Sequence, residues 1–277
     1  MSQTQTIPYR SSFLTQKASE AWAYLKKTGY PNSRDENWRF SNPDPWLLKS
    51  ATPAPIKEEF NSEEFSDYII PDTIPILILN DTISIPNELP EGIQVMDMTC
   101  ATREHHESMG SMVNYHTSPF SAENTALFQN GIIIHIPENT VVRKPLQLIH
   151  SIQGNLDSRI FPRVYIHIEA DSELQILQTE TGGDENHHFV NAVAEVIVHE
   201  NARLNWTLIQ ERNINTGQIS SFNIALKKNA TAIYNTFEFG GGLSVEIFMR
   251  ISKLQEEILK LTVFLYPWLS SIWIFSL

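Results

Sequence analysis

Apolar and polar residues alternate along four stretches of the chain, and each stretch ends at an Asn or Asp: IIIHIPENT, VYIHIEADS, EVIVHENAR and NIALKKNAT. The anchors Asn139, Asp171, Asn201 and Asn229 recur after 32, 30 and 28 residues. A period near thirty points to a solenoid before any other fold. Three positions before the anchors stand Ile136, Ile168, Val198 and Leu226; five before stand Ile134, Ile166, Val196 and Ile224. Seven before stand Ile132, Val164, Ala194 and Phe222, and three after stand Val142, Leu174, Leu204 and Ala232. Columns spaced by two share one face of a strand, so these residues form an inward wall. The column four before the anchor, His135, His167, Ile197 and Ala225, is mixed, as an outer face should be. Asn and Asp tolerate the left-handed backbone of a sharp corner, and a small residue follows each of them. The pattern predicts a strand, a corner and a second strand per coil over about residues 130 to 243. Each buried Ile, Val or Leu contributes roughly 1.5–3 kcal/mol, so a coil is stable only against its neighbours.

Ahead of the repeat, SEAWAYLKKTGYP predicts a short helix stopped by Gly29 and Pro31. SRDENWRFSNPDPWLLKSATPAPIKEEF predicts an irregular segment that lays Trp38 and Trp46 on something larger. IPILILN and GIQVMDM are strand candidates, and SPFSAENTALFQNG is a helix capped by Ser118 or Ser121. The chain therefore divides into an N-terminal helical and linker region (1–70), a strand and helix lead-in (71–129), an incomplete β-helix core (130–244) and a discordant apolar tail (245–277).

A hydrophobic fraction of 42% and a charged fraction of 19% over 277 residues describe a globular chain with a substantial core. The net charge of −12 argues against nucleic-acid binding, which needs a basic surface. Cys100, the single cysteine, excludes an intrachain disulfide framework and suits a reducing compartment; it reads as an ordinary small buried residue. The polar N-terminal segment has no apolar secretory run, and the cytoplasm is the expected location.

No residue is assigned a catalytic, cofactor-binding or metal-binding role. The pairs His105-His106 and His187-His188 sit in polar surroundings and read as solvated loop histidines, since adjacent imidazoles diverge. His135 and His167 stack on neighbouring coils outside the core, a pair able to share a metal or a proton but lacking a third ligand beside them. Gly240-Gly241-Gly242 has no following Lys-Ser/Thr, so it reads as a turn at a coil corner and not a phosphate loop. Glu169, Asp171 and Glu173 cluster at one corner, and paired carboxylates need a defined separation to do glycosidic chemistry.

The segments GYPNSRDENWRFSN, LPEGIQVMDM, PFSAENTALFQNGIIIHIPENTVVRKPLQLIH and NARLNWTLIQERNINTGQISSFNIALKKNATAIYNTFEFGGGLS resemble, in order, the SufB/SufD family, on its SufD side. The resemblance implies an N-terminal helical region, a right-handed parallel β-helix and a C-terminal helical domain. It implies a non-enzymatic scaffold subunit that pairs with a SufB-like subunit and a SufC-like ATPase in iron–sulfur cluster assembly. It implies no cofactor on this chain, the iron–sulfur cluster belonging to the complex. The family pattern and the ladder are expected to stop at Leu243-Ser244, and the remainder reads as an out-of-frame or missing C-terminus that impairs function. Two other readings stand beside this one. One is a secreted-type β-helix enzyme acting on acidic polysaccharide; the other is an interaction module tethered to a membrane by the uncharged segment 261–277, which Pro267 interrupts.

Overall fold

The structure, a computed structural model, describes residues 12–265 and 271–276 except 33, 39–41, 50–51, 54–60, 99, 102–107, 109, 117, 155–156, 184 and 251–256. Its lead-in holds α1 (Ser12–Thr28), α2 (Asp44–Lys49), β1 (Thr52–Pro53), β2 (Ile74–Leu79), β3 (Thr82–Ser84), β4 (Gln94–Asp97) and α3 (Pro119–Leu127). The core follows as β5 (Ile132–Ile136), β6 (Leu146–Ile152), β7 (Ser158–Ile160), β8 (Arg163–Ile168), β9 (Glu173–Gly182) and β10 (His188–Val198). It continues through β11 (Arg203–Gln210), β12 (Thr216–Leu226), β13 (Thr231–Glu238), β14 (Leu243–Arg250), β15 (Ile258–Leu265) and β16 (Ser271–Ser276).

These strands build the expected mainly-β solenoid. One sheet stacks β5, β8, β10, β12, β14 and β16 in parallel, with β4 antiparallel at its start. The other stacks β2, β6, β9, β11, β13 and β15, with β3 antiparallel to β2. Ile134, Ile166, Val196 and Ile224 lie directly one above another. All the inward columns read from the sequence join one apolar cluster, and of these column residues only Val164 and Ala194 are partly buried.

The anchors turn the corners as anticipated. Asn139, Asp171, Asn201 and Asn229 have φ of 60°, 57°, 59° and 58°. Their side chains also form a ladder: Asn229 Nδ2 donates to Asn201 Oδ1 and Asn201 Nδ2 to Asp171 Oδ1, both at 3.0 Å. Asn201→Ala should therefore cost roughly 1–2 kcal/mol through the left-handed backbone, and Asn201→Gly distinctly less. Urea unfolding of the two variants checks this; equal losses would assign the cost to the side-chain ladder instead.

The helices cover the outer face of the first sheet, which the repeat pattern had left open to solvent. Ser118 caps α3 by accepting from the Phe120 amide. Asn124 of α3 donates to the Asn191 and Pro162 carbonyls at 2.7 and 3.0 Å. Trp38 packs on Phe120 at 5.0 Å between ring centroids. The Trp46 ring occupies the space where a side chain on Gly217 or Gly242 would stand. Both tryptophans thus do what the irregular segment suggested. Deeper in, Arg163 and Glu195 form an ion pair whose side chains are 1% and 0% exposed. Glu195 also accepts from the amides of Gly110, Met112 and Val113 at 2.7, 3.0 and 3.3 Å, tying the lead-in to the core.

Pairing does not stop at Leu243-Ser244. Phe222 pairs with Phe248 and Ile224 with Arg250, and β15 continues the second sheet with Tyr234 beside Leu261. The reason is local: SVEIFMR and ILKLTVFL carry the β-branched and aromatic residues that fit a stacked sheet, although no Asn or Asp stands between them in the sequence. Residues 251–256, between these strands, lie outside the described residues. Segments 258–265 and 271–276 are strands. No described helix is long and apolar enough to cross a membrane.

Candidate functional site: a histidine row and a buried carboxyl cluster

Where the first sheet reaches its corners, three imidazoles line up across successive coils. The His135 and His167 rings stack at 5.2 Å between centroids, and the His167 and His199 rings lie at 4.8 Å. The His167 and His199 Nε2 atoms are 2.8 Å apart, so one donates and the other accepts. His135 Nε2 donates to Glu169 Oε1 at 2.8 Å, and Glu169 Oε2 accepts from the Glu138 amide at 3.0 Å. The hydrogen bond from His135 holds the Glu169 carboxyl below its usual range. Burial, then the neighbouring His199 and His135, push His167 down to about 4, so its imidazole is neutral at pH 7. His199 Nδ1 lies 3.6 Å from Glu200 Oε2.

Inside the solenoid, polar side chains of successive coils meet. Arg212 donates through Nε to Gln218 Oε1 at 2.7 Å and through a terminal nitrogen to His150 Nδ1 at 3.0 Å. His150 Nε2 donates to the Asn80 carbonyl at 3.1 Å, and burial beside Arg212 keeps this imidazole neutral. Glu180 accepts from Gln218 Nε2 at 2.6 Å and from Gln178 Nε2 at 2.8 Å. Glu238 accepts from Gln210, Thr236 and Ser244 at 2.9, 2.8 and 2.9 Å. Glu246, Glu180, His150 and Tyr234 share the lining of a cavity of about 50 Å³ with Trp206 and Phe222. Burial, followed by the charges of Glu238 and Glu180, raises Glu246 well above the carboxylate range; burial raises Glu238 as well.

Glu238 and Glu246 hold protons in the fold that the unfolded chain has already released, so their contribution is present at low pH and fades as pH rises. Asp81, raised to about 7 by burial, acts the same way between the ordinary carboxylate range and about pH 7. His150 and His167, both lowered, act in the opposite sense, and only below about pH 6.5. Above that pH the carboxyls dominate. Glu246→Gln should raise stability at pH 8 and flatten the alkaline decline, which urea melts at several pH values would register; an unchanged slope would contradict it.

The other residues considered from sequence find ordinary places. His188 is a buried strand residue, its Nδ1 2.8 Å from Ser158 Oγ, and His187 packs edge-on to Trp46. His188 is thus not the solvated loop histidine expected, because it opens β10 beneath the lead-in, whereas His187 sits in the loop just before the strand and is half-buried. His105-His106 lies outside the described residues. Cys100 is exposed, not buried, since it sits on the turn after β4. Gly241 turns the expected corner at φ 87°, with Gly240 against the Arg212 backbone. Asp171 is engaged by Asn201 and Glu173 by Arg203, so neither corner acid is free to work beside Glu169. His199 was missed: it stands two before its anchor, where the neighbouring coils carry Glu169 and Lys227, and only a search of the whole corner finds it. Among the described residues, no group of three or more His, Cys, Asp or Glu is arranged to hold a metal.

Two family models match in tandem. The SufBD protein N-terminal region covers residues 2–148, and the SufBD core domain of SUF system FeS cluster assembly covers 150–256. The core match runs past Ser244, where the sequence resemblance was expected to end. A chloroplastic protein of Arabidopsis thaliana, ABCI7, is 25% identical over 210 residues, 70% of this chain and 44% of the relative. An iron–sulfur cluster assembly SufBD family protein of Synechocystis is 22% identical over 274 residues, 91% of this chain and 60% of the relative. The chain thus spans less than two thirds of either relative's length.

Proposed function

We propose, because this chain belongs to the SufBD family of the SUF iron–sulfur cluster assembly system, that it serves as a non-catalytic scaffold subunit of that machinery. The tandem match of both family regions along one chain carries this reading. The fold suits it: stacked coils give a continuous body whose faces and edges are available to other proteins. On this reading the partners are a SufB-like subunit and a SufC-like ATPase, ATP hydrolysis stays with the latter, and clusters belong to the complex. A SufD-like place fits the segments quoted above, and a reducing compartment such as the cytoplasm fits the single cysteine.

Co-expression of the tagged chain with SufB-like and SufC-like partners from one source tests the proposal. All three should emerge together from affinity and size-exclusion steps. Separate elution of the three, with the chain itself folded by circular dichroism, would overturn it.

A further inference from the structure

Three features of the histidine row go beyond a scaffold role. First, the His167 and His199 Nε2 atoms face each other at 2.8 Å on adjacent coils, one near the end of β8 and the other one residue past β10, so two ligating nitrogens already lie side by side. A zinc–nitrogen bond of 2.0–2.1 Å in tetrahedral geometry sets two nitrogens about 3.3 Å apart, so seating an ion opens the pair by about half an ångström and turns both rings from facing each other toward a common point. Second, the Glu200 carboxylate stands 3.6 Å from His199 Nδ1. When Nε2 binds an ion its hydrogen must sit on Nδ1, and a carboxylate this close, though beyond hydrogen-bond distance, favours that tautomer by its charge. Third, the Glu169 carboxylate adds negative charge near His167 while being itself occupied by His135. The side chains of His199 and His135 are 34% and 23% exposed, so an ion can reach the row from solvent.

We propose that His167 and His199 form a two-imidazole site for a borderline first-row divalent cation, such as zinc, cobalt or ferrous iron, which replaces the hydrogen bond joining their Nε2 atoms. No net proton is released: the donating ring moves its hydrogen from Nε2 to Nδ1, and water fills the remaining coordination positions. Imidazole suits these ions, and two protein ligands make the site open and exchangeable instead of structural. His135 does not ligate, because its Nε2 is committed to Glu169. The inference does not rest on the scaffold reading.

The test is calorimetric titration of tag-free full chain with zinc chloride, paralleled by the visible absorption of cobalt(II). One equivalent should bind, and His167→Ala or His199→Ala should weaken it roughly tenfold or more. Glu200→Gln should weaken it partially, and His135→Ala, which removes no ligand and frees the Glu169 carboxylate, should not weaken it. Urea midpoints confirm that each variant is folded, with His199→Gln as the substitute where alanine does not fold. Absence of binding by the parent chain, or stoichiometric binding that survives in the double alanine variant, would overturn the proposal.

Discussion

Glu195→Ala is expected to cost about 3–5 kcal/mol, because it strands the Arg163 guanidinium in a site with almost no access to water. Glu195 receives Arg163 through Nε and a terminal nitrogen at 3.0 and 2.6 Å and closes three backbone amides of the segment 110–113. The remaining Arg163 contacts, Asn124 Oδ1 at 2.9 Å, Thr125 Oγ1 at 3.4 Å and the Phe128 ring at 5.3 Å, offer no counter-charge. Such a loss is a large share of the roughly 5–15 kcal/mol that holds an ordinary domain together. Urea unfolding measures it, and limited proteolysis near residues 110–113 should show that segment released first. The double variant Arg163→Met/Glu195→Leu separates the causes. It removes the stranded charge and should recover much of the loss, while the amides left without an acceptor keep it below the parent. A single-variant cost under about 1 kcal/mol would mean that water reaches the pair.

The same residue marks the limit of what the repeat pattern reveals. Inward columns and corner anchors were legible because stacking imposes the same demand on every coil: apolar at alternate positions, left-handed at the corner. Glu195 lies six before its anchor, in a column with Ile133, Tyr165 and Asn223, which reads as an uninformative outer face. That face is buried by α1, α3 and the segment around Gly110, and no periodicity within the coils encodes a cover supplied from a distant part of the chain. The histidine row was half legible for a related reason. His135 and His167 share a column, whereas His199 approaches from a residue past the regular strand, where side chains from different columns converge. The interior carboxyls were invisible, since Glu180, Glu238 and Glu246 sit in strands whose alternation alone does not say which polar residue turns inward. The continuation past Ser244 was missed because the anchor, the strongest signal, is absent there while strand propensity persists.

Phe222→Ala should likewise cost about 3–5 kcal/mol, and its effect should spread in one direction along the solenoid. The ring stacks on Phe248 of the next coil at 5.0 Å with an interplanar angle of 16°, and meets Tyr234 at 4.5 Å and Trp206 at 5.2 Å. Its neighbour on the preceding coil is Ala194, too small to fill a vacated space. Truncation would therefore enlarge the cavity that Phe222 already lines with Trp206 and Glu246. Coils contact only their neighbours, so stability passes from one to the next. Those beyond Phe222, β13 to β15, depend on it for their link to the main wall, whereas β5 and β8 keep β4, α1 and α3 against them. Hydrogen exchange should show amides of β13 and β14 losing protection first while those of β5 and β8 retain theirs, with Phe222→Leu falling between variant and parent. A uniform loss of protection across all coils would mean that the solenoid unfolds as one unit, and the neighbour-by-neighbour account of its stability would fail.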